Sequence, residues 1–122
     1  MSNIILIVAG GAIGSSLRYI CSNIIKYIYP HFSFGTLFVN VLGSFFIGIL
    51  MSYLKKNGVS ENFIKYFLII GLLGSFTTFS AFSFEIIELL NNKKFLISIF
   101  YILTSVFLCI TFTYLGYNLN NT

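Results

Sequence analysis

The chain has 122 residues, of which 57% are hydrophobic and only 8% charged, a balance far from that of a soluble globular domain. Its formal charge of +4 comes from scattered Lys and Arg residues that form no basic stripe, which argues against a nucleic-acid interface. Cys21 and Cys109 sit in separate apolar runs with neither disulfide-framework nor metal-site spacing, and with no Trp present an aromatic interfacial belt has to be built from Tyr.

Spanning a bilayer takes about 20 mostly apolar residues per helix, and the sequence predicts four such spans that fill the chain as one membrane domain. The first covers residues 3–25; no cationic segment precedes its apolar start, so it reads as a span rather than a cleaved secretory signal. Gly10 with Gly14 and Gly11 with Ser15 have helix-contact spacing, open equally to packing within the chain and to pairing between copies. Arg18 would cost about 2.5 to 3.5 kcal/mol at the centre of a span. It lies about 22 Å along this helix, and the simplest expectation is that it snorkels to the far interface.

After the break Tyr29-Pro30-His31, the second span covers residues 34–54. Thr36, Asn40 and Ser44 follow each other at four-residue intervals and form a polar stripe. An amide at the depth of Asn40 needs a partner, either another helix or a permeating species. Ser44 and Gly48 repeat the small-residue spacing before the Lys55-Lys56-Asn57-Gly58 break.

The third span, residues 63–90, contains the segment GLLGSFTTFSAFSFE from Gly71 to Glu85. Gly71 and Gly74 each lower helix stability by about 1 kcal/mol relative to Ala, and β-branched Thr77 and Thr78 follow, so a break is expected near positions 74–78. Backbone opened at membrane depth has to be buried in protein or line a polar cavity, and its freed carbonyls suit a small cation such as Na⁺. Beyond the break Phe79 and Phe82 share one helix face, and Ser80 and Ser83 a neighbouring one. Glu85 and Glu88, near the end of the span, read more simply as interfacial charges than as vestibule residues. After Asn91-Asn92-Lys93-Lys94 the fourth span covers residues 95–117 and carries Tyr101, Ser105 and Cys109 at four-residue intervals.

The polar stripes offer hydroxyl, amide and thiol donors and include no carboxylate, a lining that suits an anion. Aromatic ring edges at Phe79 and Phe82 add positive partial charge. A ladder of neutral donors can replace the water of a small anion yet bind it weakly enough to release it. Taken singly, the Phe spacing reads as core packing, and each hydroxyl as bonded back to its own helix. Their clustering beside the break is what favours a functional reading.

Four spans place both termini on one side. Lys55, Lys56 and Lys65 then lie with the termini, and Lys26, Lys93 and Lys94 lie opposite, so the positive-inside rule selects no orientation. The expectation drawn from this balance is that the chain inserts both ways and pairs with an inverted copy of itself. A small multidrug exporter, also four-span and of dual topology, needs a carboxylate in its first span for proton coupling, and this chain has no acidic residue before Glu61. A non-transporting membrane subunit is a further alternative. An enzyme is not expected, since no nucleophile with a base is in evidence.

Together these residues resemble the CrcB/Fluc family of fluoride channels along almost the whole chain. The resemblance is carried by Gly10-Gly11-Ala12-Ile13-Gly14 with Leu17-Arg18-Tyr19, by Gly35-Thr36-Leu37-Phe38-Val39-Asn40 with Gly43, and by Gly71-Leu72-Leu73-Gly74-Ser75-Phe76-Thr77-Thr78-Phe79-Ser80. It implies an all-α cell-membrane protein, of the bacterial inner membrane, that forms an antiparallel dual-topology homodimer and exports fluoride passively. It also implies a structural Na⁺ at the dimer interface, held by the backbone carbonyls of Gly74 and Thr77. Phe79, Phe82 and Asn40 would be pore residues, and Thr78, Ser80, Tyr101 and Ser105 a hydroxyl track. Cys109 departs from the pattern, standing where a serine is expected.

Overall fold

The structure is a computed structural model that describes residues 2–30, 34–57 and 62–119; His31, Gly58 and Glu61 lie outside these. Its elements are α1 (Ser2–Ile28), α2 (Phe34–Asn57), a π-helical segment π1 (Phe63–Leu73), one short turn α3 (Gly74–Phe76), α4 (Phe79–Asn91) and α5 (Phe95–Leu119). Four stretches are long and apolar enough to cross a bilayer: Ser2–Ile28, Gly35–Lys56, Phe63–Asn91 and Phe95–Leu119. The chain is therefore an all-α, multi-pass membrane protein. Two helices run past the apolar stretches that mark them in sequence, α1 through Lys26 and α2 through Lys55 and Lys56. Cations in a last turn interact favourably with the exposed carbonyls there, so these lysines prolong their helices.

Two pairs of helices meet by close backbone approach. The two most extensive pairings are α2 with α5 and α1 with π1. A methyl group added to Gly14 would overlap the Leu72 carbonyl, and one added to Gly48 would overlap that of Thr113. In lipid there is no hydrophobic drive between helices, so small residues that let backbones meet supply the packing. Of the small-residue pairs in the sequence, Gly10, Gly14, Gly48 and Gly71 are buried within this one chain. The structure thus assigns them to packing inside the subunit rather than between copies.

The width of π1 suits this contact. A π-helix bonds residue i to i+5, and Phe67 and Leu72, five apart, both border the space where Gly10 lacks a side chain.

The fourth span, α5, is arranged with its polar stripe inward. Ser98, Tyr101, Ser105 and Gly116 are buried, whereas Leu96, Phe100, Leu103, Phe107 and Ile110 are exposed along the opposite face. Phe82, Ile86 and Tyr101 form a buried cluster where α4 meets α5, with Leu37 of α2 and Leu89 packed on it.

The turn from α4 to α5 is tight. Lys94 N–H donates to the Leu89 carbonyl at 2.9 Å and Lys93 N–H to that of Leu90 at 3.0 Å. This is the Schellman arrangement, which requires a left-handed residue, and Lys93 takes it with φ 60°.

Candidate functional site

The third span is interrupted directly after α3. Thr77 N–H makes the last helical bond, to the Leu73 carbonyl at 3.1 Å. Thr77 (φ −83°, ψ 152°) and Thr78 (φ −151°, ψ 120°) are then extended, and helical geometry resumes at Phe79. The side chains of both threonines explain how this stretch holds together. Thr77 Oγ1 bonds back to the Leu73 carbonyl at 3.0 Å, closing the first half. Thr78 Oγ1 accepts from Ala81 N–H at 3.1 Å and so caps α4, which gives the second half a defined start. Its other contact is with Ser80 Oγ, at 3.0 Å.

Two neighbouring helices reach into the interruption. From α2, Asn40 Nδ2 donates to the Thr78 carbonyl at 3.1 Å, and Asn40 Oδ1 accepts from Thr78 N–H at 2.7 Å. From α1, Arg18 Nε donates to the Ser75 carbonyl at 3.0 Å. Arg18 is thus half-buried and bonded to the third span. A hydrogen bond from a charged donor is worth about 1.5 to 3 kcal/mol, comparable to the insertion penalty at the centre of a span. Freed carbonyls are expected near positions 74–78, but nothing in the sequence singles out Arg18 as the partner of the one at Ser75.

Below the break the aromatic residues form a short chain of edge-on contacts. Phe79 and Phe82 have ring centroids 5.3 Å apart and planes at 62°, and Phe82 meets Tyr101 at 5.3 Å and 71°. Phe79 is 75% exposed on this single chain, whereas Phe82 is 6% exposed. The two residues that share a face by spacing therefore have different surroundings.

Tyr101 hydroxyl donates to both carboxylate oxygens of Glu85, at 3.2 and 3.4 Å, with Thr36 also beside that carboxylate. A carboxylate thus meets the polar stripes of α2 and α5, which the spacing within each stripe does not show. Glu85 is half-buried and shared between α4, α5 and α2.

One turn further along α5, Ser105 is 6% exposed and its hydroxyl has no hydrogen-bond partner. A buried donor left unpaired is uncommon, and each such group calls for an explanation. Cys109 follows, with Ser44 of α2 as its polar neighbour. Ser44 and Cys109 line a groove of ≈ 400 Å³ together with Met51, Thr113 and Tyr117.

The interruption thus gathers Arg18, Asn40, Thr77, Thr78 and Ser80. Phe79, Phe82 and Glu85 follow along α4, whereas Tyr101, Ser105 and Cys109 lie on α5. Gly74, in the turn before the break, is exposed on the chain surface.

A sequence model of the family described as "CrcB-like protein, Camphor Resistance (CrcB)" matches residues 5–117. Relatives that carry the name fluoride-specific ion channel FluC include the following three. The one from Campylobacter jejuni subsp. jejuni serotype O:23/36 is 45% identical over 119 residues, covering 96% of this chain and 97% of the relative. That from Flavobacterium psychrophilum is 43% identical over 117 residues, 95% of this chain and 94% of the relative. A Shewanella denitrificans relative is 42% identical over 120 residues, 98% and 96% respectively.

Proposed function

The chain belongs to the CrcB-like, Camphor Resistance family, and from that premise we propose that it is a fluoride channel, moving fluoride passively out of the cell across the membrane. The observation that carries this reading is the full-length similarity to proteins named as fluoride-specific channels. Physical support comes from the interrupted third span. Fluoride holds its water tightly, so a pathway for it needs several donors in succession, each weak enough to release it. The unpaired Ser105 hydroxyl, the Thr78 and Ser80 hydroxyls and the exposed edge of Phe79 are such groups. Asn40 and Cys109 would border the same route. Glu85, by holding the Tyr101 hydroxyl, removes that donor from an approaching anion while the carboxylate is ionised.

The reading extends to a homodimer with an inverted copy in the lipid bilayer, supported by the even distribution of lysines on the two sides. Na⁺ would be a structural ion at the interface, held by the carbonyls of Gly74 and Thr77. The residues fit such a group: carbonyl oxygen is a hard ligand suited to a hard cation, Gly74 lies on the surface where two copies could share it, and Thr78 N–H points to Asn40 rather than back to Gly74. The bound ion would supply a positive charge beside the break. Arg18 already contributes one through its contact with Ser75.

The experiment is reconstitution of the purified protein into liposomes loaded with fluoride or chloride, followed by ion-selective electrodes without any proton gradient or nucleotide. Rapid fluoride loss with little chloride loss supports the reading. A requirement for a proton gradient would favour the exporter alternative, and no flux of either ion would favour the non-transporting subunit.

A further inference from the structure

The pairing of Asn40 with Thr78 has the form of one peptide group bonding to another. An Asn side chain is a primary amide, with an acceptor and a donor side by side, and here both are used on the same residue's backbone, at 2.7 and 3.1 Å. In an uninterrupted helix Thr78 N–H would donate to the Gly74 carbonyl, four residues earlier. Nothing else within the third span draws that N–H away: the Thr77 hydroxyl is turned back to Leu73, and the Thr78 hydroxyl forward to Ala81.

We propose that Asn40 is a positioning residue, a clip on α2 that holds Thr78 extended and thereby keeps the third span open and the Gly74 carbonyl unfilled. The inference rests on the channel reading for its purpose, but not for its test. With the clip in place, one Asn40 N–H is left over, so the amide offers an anion at most a single donor. Its larger effect passes through Thr78. The cap on Ala81, the Ser80 contact and the placing of Phe79 at the start of α4 all depend on Thr78 staying extended. Without the clip, Thr78 N–H can return to Gly74, the two halves can join as one helix, and the first turn of α4 rotates about its axis.

Proline supplies an independent way to hold the break. A proline at the first position of α4 is compatible with helix initiation, and it restricts the preceding residue to extended backbone. Phe79→Pro therefore constrains Thr78 to the conformation that Asn40 otherwise maintains.

Conformation is read by backbone carbon chemical shifts of Thr77 and Thr78 in lipid bilayers, and the open carbonyl by the Na⁺ dependence of thermal stability. In the unaltered protein the shifts are extended, the Thr78 amide exchanges at least about tenfold more slowly than an unbonded amide, and added NaCl raises the melting temperature more than added choline chloride. Asn40→Ala moves both residues to helical shifts and abolishes the Na⁺-specific stabilisation. Asn40→Ala combined with Phe79→Pro returns both signals, although it does not restore conduction, because Phe79 is lost. Extended shifts in the Asn40→Ala variant would overturn the clip. If that variant does not fold, rapid exchange of the Thr78 amide in the unaltered protein would overturn it equally well. None of these readouts uses fluoride, so a failed flux assay and a failed clip are distinguishable.

Discussion

Replacing Gly14 by Ala tests whether α1 and π1 meet backbone to backbone. The added methyl would overlap the Leu72 carbonyl oxygen and come within 2.9 Å of its carbon and 3.1 Å of its Cα. All three are main-chain atoms of a helix, so relief requires that α1 and π1 separate. Overpacking of this kind costs about 1 to 3 kcal/mol, against a gain in helix propensity of at most about 1 kcal/mol. Gly11, on the same helix, is an internal control. The nearest atom to its added methyl is Ser75 Oγ at 3.2 Å, a side chain free to rotate, and the next lies 4.0 Å away. Gly14→Ala is expected to lie about 2 kcal/mol below Gly11→Ala in stability, a factor of about 30 in the unfolding equilibrium. Reversible unfolding in mixed detergent micelles, followed by circular dichroism, measures the difference. Equal stability of the two variants would refute the close approach, and with it the route by which α1 brings Arg18 to Ser75.

Three further substitutions follow from local geometry. Lys93→Gly removes the strain of a left-handed lysine at φ 60° and should stabilise the protein by about 1 kcal/mol, read as a higher melting temperature with unchanged flux. Thr78→Ala removes the cap on Ala81 and should destabilise by about 1 kcal/mol, whereas Thr78→Ser, which keeps the oxygen, should change stability by less than half of that. Cys109→Ser replaces a weak donor by a stronger one beside Ser44; fluoride efflux from liposomes should be preserved or raised, and a large loss would remove Cys109 from the proposed pathway.

The spans are legible in the sequence because a bilayer imposes length and apolarity on every crossing helix, and residues 34, 63 and 95 begin elements in both readings. Helix ends are less legible: Lys26, Lys55 and Lys56 end an apolar run but not the hydrogen bonding. The inward face of α5 follows from the spacing of Tyr101, Ser105 and Cys109, since residues four apart share a face whatever they touch.

Partners are harder to read, because periodicity gives the direction of a side chain on its own helix and not the helix opposite. Asn40 illustrates this, as its need for a partner is evident from sequence, but the choice of the Thr78 backbone is not. Nor is the contact of Arg18 with Ser75, or of Tyr101 with Glu85. The glycines mark close approach without saying whether it lies within or between chains, and the structure assigns Gly10, Gly14 and Gly48 to contacts within.

The most direct test compares the purified protein with its Phe79→Ile variant in fluoride-loaded liposomes, at matched protein incorporation. Isoleucine keeps an apolar side chain but has no ring edge to meet an anion. The account predicts rapid fluoride release by the unaltered protein and severe loss of release by the variant, with the fold of both unchanged by circular dichroism. Fluoride release at the same rate from both would contradict a pathway that passes the start of α4.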